Sequence, residues 1–142
     1  MNCEFSILEF NLVFPNEAAA VAHFEWRRWD GAVYCPGCGS LSCSTVKVKK
    51  YVYFRCLCCD KYFTVRTGTI LSKSNIGLRR WLLAIYILHT SRHSGLMKEL
   101  GISKRCALRV KRCIYEAMGA TKKSDLYGNF DVMVDAVLAK QV

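Results

Sequence analysis

The sequence has no apolar run long enough to cross a membrane. Its longest uninterrupted apolar segment, residues 81–88, is far shorter than the roughly 20 residues that a membrane-spanning helix needs. The apolar opening, residues 5–14, is broken by Glu9 and Asn11 and has no basic residue before it, which argues against a secretory signal peptide. We therefore expect a cytoplasmic protein without a membrane partner.

Acidic side chains are scarce beside basic ones. The 142 residues include 21 lysines and arginines but only 11 aspartates and glutamates, so the formal net charge is +10. Residues 1–34 carry a net charge of −3, and residues 35–142 therefore carry +13. A field of this sign attracts a polyanion, and we expect nucleic acid. The hydrophobic content of 52% excludes a disordered chain.

Four of the nine cysteines form two C-x-x-C pairs. Cys35 and Cys38 make the first pair, Cys56 and Cys59 the second, and 17 residues lie between the pairs. Two such pairs can arrange four thiolates tetrahedrally around one zinc ion, and the spacing suits a zinc ribbon. Cys58 would then point elsewhere. Because four thiolates complete the coordination sphere, we expect one structural Zn²⁺ that performs no chemistry.

The paired cysteines have three alternative roles: a disulfide framework, a redox motif and an iron site. A disulfide framework fits poorly, because we expect no secretory signal peptide and cytosolic thiols are kept reduced. A redox C-x-x-C normally accompanies a βαβ pattern, and the sequence has none. Iron stays open, because such pairs also hold a single iron in tetrahedral thiolate sites. The remaining thiols outside the pairs are expected to pack or to be exposed: Cys3, Cys43, Cys106 and Cys113.

The region before the first cysteine pair predicts at least one helix. Residues 5–14 predict either a short strand or a short helix. Asn16 is a suitable N-cap for a helix over residues 17–29, which are rich in alanine and glutamate. We expect the aromatic side chains of this helix to pack against the metal module: Phe24, Trp26 and Trp29.

The residues between and after the cysteine pairs predict three short antiparallel strands, at 45–49, 51–55 and 61–66. In the first strand, Val46 and Val48 lie on one face and the lysines on the other, which indicates a half-buried strand. Such a ribbon is too small to be stable without its metal. Three lysines of the ribbon either form a solvated face or contact phosphates: Lys47, Lys49 and Lys50.

The second half of the chain predicts helices. Ser74 or Asn75 can cap a core helix that runs to about Thr90. A short helix from Ser94, a turn at Gly101 and a second helix from residue 103 to about 118 predict a helix-turn-helix.

The second helix of this motif has two unlike faces. Ala107, Val110 and Ile114 are predicted to face inward. The outward residues are almost all cationic: Lys104, Arg105, Leu108, Arg109 and Arg112, with Lys111 at the margin. A recognition helix places such a face in the major groove of duplex DNA. The alternative is a bundle helix with a solvated basic face.

Several motifs follow one another in an order typical of a known family. They are FPNE at 14–17, RWDG at 28–31, CPGCG at 35–39, FRC at 54–56, Cys59, YFTVRTGTI at 62–70, RWLLAIY at 80–86 and ELGIS at 99–103. In these motifs, residues 14 to about 118 resemble the N-terminal half of bacterial insertion-sequence transposases that carry a zinc ribbon ahead of a DDE catalytic domain. The resemblance implies recognition of the inverted repeats at the ends of the element.

The resemblance weakens after Gly119. Those transposases continue into a ribonuclease-H-like domain whose carboxylates hold two metal ions. Asp135, after residues 132–134, resembles the first catalytic aspartate at the end of an opening strand, but Ala136 stands where the family often has glutamate. We expect Asp135 to be an ordinary tail carboxylate and the chain not to cut DNA.

The sequence thus predicts an α+β protein: an antiparallel zinc ribbon with an N-terminal helix over residues 1–70, an all-α helix-turn-helix domain over 71–120, and a tail over 121–142. The predicted function is sequence-specific binding of double-stranded DNA at transposon ends, in the nucleoid, with no small-molecule substrate. The alternative is a protein-interaction or regulatory module acting on a full-length transposase or another DNA-bound complex. Self-association is a further expected contact.

Overall fold

A computed structural model of the chain describes residues 7–49, 51–90, 100–119 and 130–139. It shows an α+β fold with one small antiparallel sheet, as predicted. In chain order the elements are α1 (Ile7–Val13), α2 (Glu17–Trp29), β1 (Cys43–Val48), β2 (Tyr51–Cys56), β3 (Tyr62–Phe63), a 3₁₀ helix (Ile70–Lys73), α3 (Leu78–Thr90), α4 (Lys104–Met118) and α5 (Phe130–Ala139).

The first two helices are joined by a short turn. Phe10 and Phe14 lie four positions apart on one side of the chain, and both are buried with ring centroids 5.3 Å apart. This spacing fits α1 as a helix, which the sequence alone did not separate from a strand. The Asn16 side chain accepts a hydrogen bond from the Ala19 amide (2.9 Å), so the predicted N-cap of α2 is confirmed.

Helix α2 packs against the sheet through its last turn. The Trp29 ring lies edge-on to Phe54 of β2 (5.4 Å) and Phe63 of β3 (5.9 Å). Phe24 is also fully buried. The predicted packing of Trp26 is wrong: its side chain is 57% exposed, because it lies about 200° around the helix from Phe24.

The sheet has the order β1-β2-β3, with antiparallel pairing throughout. Strand β3 contains two residues instead of the predicted six. The chain turns immediately after it, since the Thr64 amide donates to the Thr67 hydroxyl (3.0 Å) and the Thr67 amide donates to the Thr64 carbonyl (3.1 Å). A threonine-based turn therefore ends the strand where the alternating pattern would have extended it.

The buried face of the sheet is not the one that carries the valines of β1. Thr45 lies opposite Phe54, which packs on Trp29, so Lys47 shares the face turned toward α2. Val46 and Val48 lie on the other face, and Val48 is half exposed. Alternation predicted two faces correctly, but packing of β2 and β3 decides which face is covered.

Helix α3 begins at Leu78, beyond the predicted caps at Ser74 and Asn75. Its first amides are satisfied from α2: Glu17 Oε1 accepts from the Leu78 amide (2.6 Å) and Oε2 from the Arg79 amide (3.1 Å). The Ser74 hydroxyl instead accepts from the backbone amide two residues on (3.1 Å). A carboxylate 61 residues away therefore replaces the local cap.

The helical core surrounds α3. Helix α5 packs against α2, α3 and α4, so residues 130–139, predicted as part of a tail, belong to the core. The side chains that fill it are apolar and fully or almost fully buried: Leu82, Ile85 and Leu88 of α3, Val110 and Ile114 of α4, and Met133, Val134 and Val137 of α5.

Candidate metal centre and cationic helix

The two C-x-x-C turns have matching backbone geometry. In each turn, the residue after the second cysteine donates its amide to the carbonyl of the first: Gly39 to Cys35 (2.8 Å) and Asp60 to Cys56 (2.9 Å). Gly39 and Asp60 both adopt left-handed backbone conformations, with φ of 77° and 63°. The two turns thus present their cysteines in the same way, the first using a glycine and the second an aspartate.

The four predicted ligands come together. The Sγ atoms of Cys35, Cys38, Cys56 and Cys59 all lie within 4.8 Å of one another. The Cys35–Cys59 separation is 3.6 Å and the Cys38–Cys56 separation is 3.5 Å. Tetrahedral zinc with Zn–S bonds of about 2.3 Å holds its sulfurs about 3.8 Å apart. The cluster is therefore close to the size of a site for one metal ion.

Backbone amides around the cluster favour ionised sulfur. The amides of Cys58 and Cys59 both donate to Cys56 Sγ (3.4 Å each). The pKa of Cys56 is lowered to about 6, with the Cys59 amide as the largest cause. The pKa of Cys35 is also lowered, chiefly by the Cys38 amide. The pKa of Cys38 is raised to about 12 and that of Cys59 is also raised, because burial and hydrogen bonds with neighbouring thiols outweigh the lowering by the Ser40 and Lys61 amides. Hydrogen bonds to a thiolate stabilise it, and the thiolate is the form that binds metal.

The other described cysteines lie in mixed surroundings. Cys43 is half-buried, its thiol donates to the Ser40 carbonyl (3.4 Å), and burial raises its pKa. Cys58 is exposed, whereas Cys106 and Cys113 are half-buried on α4. These positions agree with the prediction of packing or exposed thiols. The prediction for Cys3 lies outside the described residues.

Only part of the predicted helix-turn-helix can be compared with the structure. Leu100 is helical, and Gly101 follows in a turn with a φ of 65°. The Ser103 hydroxyl accepts from the amide three residues on (3.2 Å), which confirms the predicted N-cap of α4. The start of the first helix, placed at Ser94, lies outside the described residues. The motif as a whole stays a prediction.

Helix α4 has one buried and one charged side. Ala107, Val110 and Ile114 are buried, as predicted. The exposed side chains include four cations around one leucine: Lys104, Arg105, Leu108, Arg109 and Arg112. Lys111 is half-buried, with its ammonium group 5.6 Å from the centre of the Tyr115 ring. These exposed residues and Lys111 are hereafter called the cationic face.

Two of the three predicted ribbon lysines, Lys47 and Lys49, lie at the end of the ribbon's first hairpin. Lys47 is exposed near the end of β1, and Lys49 lies in the turn between β1 and β2 with a φ of 57°. Lys50 lies outside the described residues. Their predicted contact with DNA stays a prediction.

Asp135 lies within α5 and not at the end of a strand, where the family resemblance placed it. The Arg27 guanidinium donates to both of its carboxylate oxygens, at 3.0 and 2.6 Å. Asp131, one turn earlier, contacts His23 of α2 through its carboxylate (3.0 Å). Sequence reasoning missed this ionic cluster because its members are 108 residues apart. Asp135 is therefore a structural partner of α2.

The chain is homologous to a protein of a transposable element. Over 115 residues it is 33% identical to a protein described as an uncharacterized protein in transposable element ISH50, from Halobacterium salinarum. The alignment covers 77% of this chain and 38% of the relative, so the chain spans about two fifths of the relative's length. No family model and no solved structure matches the chain. Among the described helices, none has the length and apolar character to cross a membrane.

Proposed function

We propose that this chain is a transposase-related, zinc-binding protein that recognises double-stranded DNA at the ends of an insertion element. The observation that carries the proposal is the cationic face of α4, whose exposed members lie on the side of the helix away from the buried residues Ala107, Val110 and Ile114. The homology to a transposable-element protein supports the same context.

The shape of this face suits a duplex. The major groove of B-DNA is about 12 Å wide and admits one α-helix. A recognition helix contacts base edges with its N-terminal residues and phosphates with its flanks. Here Lys104 and Arg105 lie in the first turn of α4, and Arg109 and Arg112 extend along it. The exposed Leu108 gives the face one apolar contact among its charges.

The positive charges at the start of α4 destabilise the helix when no partner is bound. Two cations in the first turn oppose the positive end of the helix dipole, at a cost of about 0.3–1 kcal/mol each when exposed. No acidic residue in that turn offsets them. A phosphate at the same place would interact favourably with both the cations and the helix end. The arrangement is therefore explained better by an anionic partner than by stability.

The metal would serve to hold the ribbon together. Cys35, Cys38, Cys56 and Cys59 would bind one Zn²⁺ as thiolates, with no open coordination position. A sheet of this size buries too little apolar surface to fold alone. Metal analysis of the purified chain distinguishes zinc from iron.

We further propose that the chain binds DNA without cutting it. Strand transfer by two metal ions needs several carboxylates around one site. In the described ranges, the four cysteines are the one group of three or more possible metal ligands that lie close together. Asp135 is engaged with Arg27. Incubation of bound DNA with Mg²⁺ or Mn²⁺ should leave it intact, and cleavage would contradict the proposal.

Binding should depend steeply on salt. If the cationic face neutralises about five phosphates, the logarithm of the association constant should fall with the logarithm of salt concentration with a slope of about −4.5. Selection from random duplexes should enrich one motif if the binding is sequence-specific. A flat salt dependence, or no binding, would refute the proposal.

The structure offers one observation in favour of the alternative role as a protein-interaction module. Leu8 and Leu12 lie one turn apart on α1, and both are largely exposed beside Val13. They would dock on a full-length transposase or on a second copy of the chain. Co-elution with that partner, lost in the Leu8→Ser and Leu12→Ser variants while DNA affinity is absent, would favour this role.

A further inference from the structure

One face of the ribbon is aromatic and faces away from the helices. The strand register places seven side chains on this side of the sheet. We call it the outer face, and it consists of Ser44, Val46, Val48, Tyr51, Tyr53, Arg55 and Tyr62. The opposite side carries Phe54 and Phe63, which pack on Trp29.

Three large side chains of the outer face are at least half exposed to solvent. Tyr51 is 54% exposed, Tyr62 is 60% exposed, and Val48 beside Tyr51 is 50% exposed. Exposed aromatic and apolar side chains that lie together on one face of a sheet mark a binding surface.

The rings of the outer face form a short row. Tyr51 and Tyr53 have ring centroids 6.4 Å apart, tilted by 48°. Two residues further along β2, the Arg55 guanidinium lies 6.0 Å from the centre of the Tyr62 ring. Alternate residues of a strand are about 6.6 Å apart, so flat groups recur along the face at nearly regular intervals.

The ribbon segment has an excess of positive charge. Residues 33–66 contain six lysines and arginines and a single acidic residue, Asp60. Two of the six cations lie away from the outer face: Lys47 is on the opposite face, and Arg66 donates to backbone carbonyls of residues 71–76. Asp60 pairs with Arg55. Lys49 precedes Tyr51 by two positions, whereas the Lys61 side chain lies beside Gly37 in the first cysteine turn. A partner that complements the face must therefore combine negative charge with flat apolar groups.

We propose that the outer face binds single-stranded nucleic acid. Unpaired bases would stack on Tyr51, Tyr53 and Tyr62, and their phosphates would interact with Lys49. Aromatic rings in a basic setting bind single strands in this way, with little dependence on sequence. The bases of an intact duplex are already stacked and cannot occupy the rings. The outer face is thus separate from the cationic face of α4 and does not rest on the function proposed for it.

The test uses the metal-loaded full chain and a labelled oligothymidylate, which does not pair with itself. Fluorescence anisotropy should show binding. The Tyr51→Leu and Tyr62→Leu variants should each bind at least about fivefold more weakly, because each loses one stacked base. Tyr51→Phe and Tyr62→Phe keep the ring and should bind within about twofold of the wild type. Crosslinking of an iodouracil-substituted strand should map to these tyrosines.

A matched control is available on α2. Trp26 is an exposed aromatic residue outside the ribbon, and Trp26→Leu should leave the affinity for oligothymidylate unchanged. Circular dichroism and metal content should show that all variants fold. Duplex affinity, measured in parallel, should stay unchanged in the leucine variants. The proposal is overturned if the wild type does not bind, if the leucine variants bind as well as the wild type, or if they lose duplex affinity equally. Self-association that depends on Tyr51, without strand binding, would also overturn it.

Discussion

Glu17 connects two helices, and removing its carboxylate should destabilise the protein by about 2 kcal/mol. It lies in the first turn of α2, and its oxygens accept from the amides of Leu78 and Arg79 at the start of α3. Loss of a capping side chain costs typically about 1 kcal/mol. Loss of a negative charge near a helix N-terminus costs about 0.3–1 kcal/mol. Glu17 lies near two such ends, the N-terminus of α2 and that of α3, so this cost applies at both.

The assay for this prediction is urea denaturation of Glu17→Ala and Glu17→Gln, followed by circular dichroism. Glutamine retains one acceptor oxygen but no charge, so its effect should be about half that of alanine. In thermal melts, the alanine variant should show a midpoint lower by about 5–10 °C, given the size of the chain.

Two further substitutions sharpen the test. Glu116 is an exposed carboxylate in the last turn of α4, where negative charge opposes the dipole, so Glu116→Ala should be neutral or slightly stabilising. A Cβ at Gly77 would lie 3.0 Å from a Glu17 carboxylate oxygen. Gly77→Ala should therefore destabilise in the wild type and less so in the Glu17→Ala background. A change below about 0.5 kcal/mol in Glu17→Ala would refute the reasoning.

The remaining predictions concern the metal, the ionic cluster and the contact between α2 and the sheet. Chelation, or Cys56→Ser, should remove the metal and the dispersed amide signals of the ribbon in NMR spectra, whereas Cys58→Ser should retain both. Ribbon signals that persist in chelator would contradict the metal assignment. Arg27→Ala and Asp135→Asn should each lower the free energy of unfolding only slightly, since both side chains are about a third or more exposed, and a double-mutant cycle should show that the effects are not additive. Trp29→Ala should cost about 3–5 kcal/mol in urea denaturation, because the buried ring holds α2 against two strands, and a loss below about 1 kcal/mol would refute that packing.

The features that the sequence predicted well depend on neighbouring residues. The caps at Asn16 and Ser103 are set by hydrogen bonds to amides three positions away. The buried side of α4 follows from helical periodicity. The four cysteines converge because each pair is confined to one tight turn and β1 and β2 connect the two turns.

The features that it missed depend on residues far apart in the chain. No local pattern shows that Glu17 caps α3, or that Arg27 holds Asp135. Both contacts follow from the packing of α2 against α3 and α5. The packing of α2 against the sheet likewise decides that Trp29 is covered while Trp26 is not. The family resemblance implied a strand at residues 132–134, but the structure has a helix there, since an apolar run of this kind suits a buried helix equally well.

The salt dependence of duplex binding in paired charge variants tests the central claim, that the exposed side of α4 contacts DNA phosphates. Arg109→Gln removes one charge from that side, and Arg80→Gln removes one from an exposed position on α3. The account predicts that the log–log slope becomes shallower by about 0.9 in Arg109→Gln and stays at the wild-type value in Arg80→Gln. Equal slopes in all three proteins would contradict it.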